Sequence, residues 1–247
     1  MSLTEINLRE KDFHNKLQSQ KKGRFENIFY KALYNMYEDF NSLIYKKANQ
    51  KTVLDYGCGI GSITEKIVKF SPEKLVGIDI SEISINKAKE NAKNLSLQIE
   101  YSVDNCENLK LKERSFDLVF GSGILHHLNI EKAISEISKV LKDEGEMIFL
   151  EPLGTNPLIN LYRKLTPKSR SKDEHPFVKK DFDFIGSLFK DVKITYYGFF
   201  TLVFFLFYRR PEKSSFFNML CKLDSYFFKF KYFRNFAWSI LIVAKKI

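Results

Sequence analysis

Val53-Leu54-Asp55-Tyr56-Gly57-Cys58-Gly59-Ile60-Gly61 is the stretch that decides the fold. An apolar run enters an acid and then a glycine-spaced turn. Ser62-Ile63-Thr64-Glu65-Lys66-Ile67-Val68 follows at once and reads as a helix. Glycine tolerates positive φ and lets a second molecule approach the backbone closely. A strand, such a turn and a helix in immediate succession carry more weight than the glycines alone. A second apolar run, Leu75-Val76-Gly77-Ile78-Asp79, ends in an acid eighteen residues beyond Gly61. A carboxylate so placed suits a pair of ribose hydroxyls.

Outward from this core, strands are predicted near 52–56, 75–79, 98–102, 117–121, 145–150, 192–198 and 238–245. Helices are predicted near 62–70, 82–93, 131–142 and 179–189. Such alternation implies an α/β fold, a parallel sheet covered on both faces. Right-handed crossovers bring the strand C-termini to one edge, where ligands bind. Residues 1–50 read as a helical cap, because Phe25, Ile28, Phe29, Ala32, Leu33, Met36, Tyr37 and Phe40 recur at helical spacing.

LDYGCGIG (54–61) followed by VGIDIS (76–81) resembles the cofactor site of class I S-adenosylmethionine-dependent methyltransferases. A dinucleotide site would want a third glycine at position 62, where Ser62 stands. The resemblance implies a Rossmann-like, mostly parallel seven-stranded sheet, with an antiparallel last strand inserted between the fifth and sixth. The catalytic domain then comprises 51–198 and 238–247, with 199–237 as an insertion. The implied cofactor is S-adenosyl-L-methionine. Its binding residues would be Asp55, Gly57, Cys58, Gly59, Gly61, Asp79 and Ile80. Asp104, with Asn105 and Cys106, would meet the adenine, the alternative being an ordinary Asx turn. Gly121, Ser122 and Ile124 would lie under the methionine portion. Asp117 reads as a stabiliser of the strand start.

Methyl transfer is an in-line displacement at a sulfonium carbon, so alignment and desolvation are the protein's main tasks. A hydroxyl acceptor must also lose its proton, for which histidine suits neutral pH. The candidate catalytic residues are therefore His126 and His127, with the resemblance favouring His127. His14 stands in Phe13-His14-Asn15, which is similar to a Phe-His-Asp pattern of small-molecule methyltransferases; Asn15 replaces the acid. His175, in Asp173-Glu174-His175-Pro176-Phe177, sits in a loop able to cover an acceptor. Glu151, ending the fifth strand, either faces the acceptor or tethers a loop. No histidine spacing demands a metal, and none is expected. Arg163, Lys164, Lys168, Arg170 and Lys172 could grip a phosphate, though a charge run is usually a solvated face.

The chain has 247 residues, 44% of them hydrophobic, enough for one α/β domain with a modest elaboration. A net charge of +10 favours anionic partners, or reflects a lysine-rich proteome. Three scattered cysteines form no disulfide or zinc pattern, and with a polar N-terminus they lead to the expectation of a cytoplasmic protein.

The segment 199–237 is the unusual part. Tyr196 to Tyr208 contains no charge and is too short to span a bilayer. Residues 209–234 carry seven Lys/Arg against two Asp/Glu, with aromatics interleaved. The segment reads either as a substrate cap or as a peripheral membrane contact. Both fit a small-molecule acceptor that is hydrophobic or lipid- or sugar-linked, methylated mainly at oxygen. An RNA or protein methyltransferase is the alternative. Gly121-Ser122-Gly123-Ile124 lacks the Asn/Asp-Pro-Pro-aromatic signature of base-amine enzymes, which argues against nucleic acid. A non-catalytic binding module is the third reading, opposed by the intact turn and both acids. Oligomeric state is left open.

Overall fold

The computed structural model describes residues 3–19, 31–166, 171–207 and 210–247, and the side chains of 17–19 and 204–207 are not considered. Phe25, Ile28, Phe29, Lys168, Arg170 and Tyr208 lie outside the described residues. Seven strands form one sheet: β1 (Thr52–Tyr56), β2 (Lys74–Asp79), β3 (Glu100–Val103), β4 (Phe116–Ser122), β5 (Leu141–Pro152), β6 (Phe189–Tyr197) and β7 (Ser239–Lys246). Their order is β3-β2-β1-β4-β5-β7-β6. β7 runs antiparallel to both β5 and β6, while the remaining pairs are parallel. The chain winds outward from β1 through β2 to β3 and then crosses to β4 on the other side of β1, so the winding order switches between β1 and β4, and their C-terminal ends, with that of β2 beside them, border one crevice.

The helices are α1 (Glu5–Ser19), α2 (Tyr34–Ala48), α3 (Thr64–Ile67), α4 (Glu82–Asn94), α5 (Ile130–Val140), α6 (Pro157–Leu165), α7 (Lys179–Leu188), α8 (Ser215–Phe227) and α9 (Lys231–Arg234). Local chemistry sets several of their starts. Ser81, Asn129, Asn156 and Ser214 each accept a hydrogen bond from the backbone of the first turn they precede. One apolar layer joins α5 and α7 to the sheet through Ile134, Ile137, Ile185 and Phe149. The opposite layer joins α2 through Met36, Phe40, Ile44 and Ala48 to Val53, Leu118 and Ile148. Residues 34–48 of the expected N-terminal cap are thus part of the sheet's own packing. α1 instead crosses the strand ends: Ser81 Oγ donates to Asn15 Oδ1 (2.5 Å) and Lys11 pairs with Glu82.

Asp117 anchors the start of β1, accepting from Thr52 N (2.9 Å) and from Lys142. In the insertion, buried Asp224 of α8 accepts from the backbone of Phe199 and Phe200 and from Thr201 Oγ1, pinning the chain as it leaves β6.

Candidate active site

Three glycines shape the turn after β1. Gly57, Gly59 and Gly61 have φ of +76°, +55° and +82°, a region that L side chains rarely adopt. They differ in what lies beside them. A Cβ on Gly57 would collide with Ile124, and one on Gly61 with the Tyr101 hydroxyl. A Cβ on Gly59 would enter open space. The Gly59 N–H donates to Asp79 Oδ2 (3.0 Å), and the Ser81 N–H donates to Asp79 Oδ1 (2.8 Å). The turn and the β2 acid are therefore one unit. Asp55 lies buried beneath, accepting from Thr64 Oγ1 (2.5 Å). Burial pushes its carboxyl up to about 7, against the Thr64 hydrogen bond and helped by the charge of Asp79.

Asp104 follows β3 and accepts from the backbone N–H of Asn105 (2.9 Å) and Lys110 (3.0 Å). Its carboxylate first closes its own loop. Cys106 is buried in the core, where its carbonyl accepts from the Tyr56 hydroxyl. Gly121 lets β4 pass Phe149 and the Tyr56 carbonyl, since any Cβ there would strike both.

The acceptor side is assembled from distant segments. Residues Leu125–His127 form a 3-10 turn after β4. Fully buried Glu151 holds that turn: Oε1 accepts from Ile124 N (3.0 Å) and Leu125 N (2.8 Å), and Oε2 lies 2.7 Å from His126 Nδ1. Burial raises the Glu151 carboxyl to about 7 in spite of those hydrogen bonds. The His127 ring stands 4.1 Å from the His126 ring and 5.1 Å from that of His14, centroid to centroid. Its Nδ1 lies 3.0 Å from Glu10 Oε2 and 3.2 Å from Ser171 Oγ.

The Glu10 contact is close but off the line of a directed hydrogen bond, and both Glu10 oxygens and His127 Nε2 lack hydrogen-bond partners among the described residues. Burial pushes the Glu10 carboxyl up, but His127, Ser171 and His14 together leave it below its ordinary value. Arg9 ties α1 to the loop before α7 by a paired contact with Asp173 (2.9 and 3.0 Å), and the His175 N–H donates to the His126 carbonyl (2.6 Å).

Residues 53–145 match the family model described as a methyltransferase domain. This chain carries a class I S-adenosylmethionine-dependent methyltransferase domain. It is similar to the ubiquinone biosynthesis O-methyltransferase of Pelagibacter ubique, 41% identical over 38% of this chain and 39% of that protein. It is also similar to the juvenile hormone acid O-methyltransferase of Bombyx mori, 33% identical over 58% of this chain and 53% of that protein. The chain spans about two fifths to one half of the length of these curated relatives. Among solved structures, the geranyl diphosphate C-methyltransferase of Streptomyces coelicolor shares the fold: TM-score 0.63, 12% identity, 87% of this chain and 81% of that one.

The methyltransferase family uses S-adenosylmethionine, and the residues present fit it. Gly59 faces open space with a backbone no side chain favours, and Asp79 stands beside it. The structure brings His14, His126 and His127 together. His175 joins them through its backbone only; its half-exposed ring lies 3.5 Å from Asp181. Glu151 is expected either at the acceptor or as a loop tether, and its carboxylate is engaged as the tether. Glu10 is absent from the sequence reading. Its signal is there, one helical turn before His14, where i and i+4 share a face. Glu10 Oε2 lies 3.8 Å from His14 Nε2. One atom each from Glu10, His14 and His127 lie within 4.8 Å of one another, as do atoms of His126, His127 and Glu174, close enough to share a cation that no sequence spacing announced.

Proposed function

We infer that this chain transfers the methyl group of S-adenosylmethionine to an oxygen of a small, apolar acceptor, with His127 taking up the acceptor's proton. One observation carries the reading. The Ile124 side chain packs against Gly57 of the cofactor turn, and the Ile124 carbonyl accepts from His127 N (3.1 Å). The turn and the histidine thus stand on two sides of one residue. Held at the turn 57–61, the cofactor would supply a methyl group on a sulfonium sulfur that keeps the bond's electron pair, and His127 Nε2 would take the proton that the acceptor hydroxyl gives up as its oxygen gains the methyl. Glu10, at Nδ1, orients the ring and balances the charge it acquires, as a carboxylate does for other catalytic histidines.

Support for an apolar acceptor comes from the aromatic segment 199–237, read as a cap over the acceptor, and from the ubiquinone-pathway and juvenile hormone acid enzymes that the domain is similar to. RNA or protein acceptors are the alternative, and a cytoplasmic location with the membrane surface nearby fits the apolar choice.

The test is turnover of S-adenosylmethionine against a panel of hydroxylated apolar compounds, with calorimetry of cofactor binding alongside. His127→Ala is expected to lower turnover by about 10²–10⁴-fold with cofactor affinity unchanged. Equal turnover in variant and wild type removes His127 as the base, and absence of cofactor binding removes the whole reading. A chelator is expected to leave turnover unchanged; its loss would hand the same histidine cluster to a metal ion instead.

A further inference from the structure

Two helix faces carry exposed apolar side chains that take part in none of the contacts described above. On α6, Leu158, Leu161 and Leu165 are 67%, 55% and 73% exposed. They recur at i, i+3 and i+7, one stripe on the helix, while Ile159 on the other face is buried. Lys164 is exposed beside the stripe. On α8, Phe216, Met219 and Tyr226 line the face opposite buried Phe217 and Leu220, with Lys222 exposed next to them. Phe230 and Tyr232 continue this apolar surface into α9. The two regions are tied together: Thr155 Oγ1 donates to the Asn235 carbonyl (3.0 Å), and Asn156 Nδ2 donates to the Phe236 carbonyl.

Scattered exposed apolar residues need no explanation, but eight large ones in two linked segments mark an interaction surface. The charges indicate what it meets. Lys164, Lys213, Lys222, Lys229 and Lys231 are exposed in these segments, and the exposed acid is Glu212; Asp224 is buried in its own cap. Protein interfaces are depleted in lysine, whereas lysines flanking an apolar stripe suit lipid phosphates. No helix among the described residues is long and apolar enough to cross a membrane.

We propose that α6 and the segment 210–236 dock this chain on an anionic bilayer surface, the leucines and aromatics entering the headgroup boundary and the lysines meeting lipid phosphates. α6 begins five residues after β5, on the acceptor side, so docking brings the site to where apolar acceptors dissolve. The inference goes beyond methyl transfer and does not depend on it.

The experiment is co-sedimentation of the full chain with vesicles of phosphatidylcholine alone, and with about one third phosphatidylglycerol. Binding is expected to be at least about tenfold greater on the anionic vesicles and reversed by high salt. It is expected to be lost in the triple variant Leu158→Ser, Leu161→Ser, Leu165→Ser, and in Lys222→Glu, Lys229→Glu, Lys231→Glu. All six side chains are exposed, so circular dichroism and S-adenosylmethionine affinity should match wild type. Three outcomes overturn the proposal: no vesicle binding, equal binding by wild type and both variants, or a wild-type dimer by light scattering that the leucine variant dissolves. None of these bears on cofactor binding, so this proposal and the methyl-transfer reading fail separately.

Discussion

The two sides of the crevice are built in opposite ways. The centre of the cofactor side comes from one short run of chain: a strand, the turn 57–61, and an acid that bonds directly to that turn. The acceptor side joins Glu10, His14, His127 and Ser171, which belong to three separate segments. A site made of neighbours is rigid and carries its own signature. A site made of strangers exists only when the whole fold is present, and it can change without disturbing the cofactor.

That contrast can be broken from either side. The largest effect is expected from Gly59→Val. Position 59 has φ of +55° and faces the open space, so a branched side chain is both strained and in the way. Cofactor binding should vanish in calorimetry while circular dichroism still reports the fold; retained binding would break the cofactor half of the comparison. Next, Glu10→Gln should lower kcat by about tenfold or more, less than His127→Ala, with KM and cofactor affinity unchanged. A general loss of stability without that split would make Glu10 a packing residue. Asp79→Ala should weaken cofactor binding by roughly 1–3 kcal/mol, the cost of leaving polar groups unpaired.

The smallest effect concerns pH. Asp55 and Glu151 have carboxyls raised by burial to about 7 in the fold, from 3.8 and 4.5. The folded state holds their protons more tightly than the unfolded chain does. Their contribution is therefore fully present below the ordinary values and is lost as pH rises through about 7. Thermal melts should show a falling Tm across that interval, with a shallower fall in Asp55→Asn. An identical slope in the variant would remove Asp55 from the account.

Much of the fold was legible because the periodicities are local. β1 begins and ends as its residues suggest, and the inserted antiparallel β7 follows from the resemblance. The site was legible where one segment made it, as at Gly57–Gly61 and Asp79. It was not legible where a carboxylate has several partners to choose from. Glu151 and Asp104 both end strands at the ligand edge, yet backbone N–H groups of nearby loops bind them first. Glu10 was missed for the reverse reason. The Phe-His-Asp pattern points to the residue after His14, while helical geometry favours the one a turn before it. Nothing in the local sequence states that this turn meets His127.

The link between Arg9 and Asp173 has a dynamic side. It joins α1 to the loop before α7, yet Arg9 is half in water, and exposed ion pairs of that kind hold only weakly. The crevice can thus admit a bulky guest by parting one weak clasp at its rim, with the packed layers beneath undisturbed. Salt concentration, which screens this clasp together with the Lys11–Glu82 pair on the same helix, becomes a handle on how fast guests come and go.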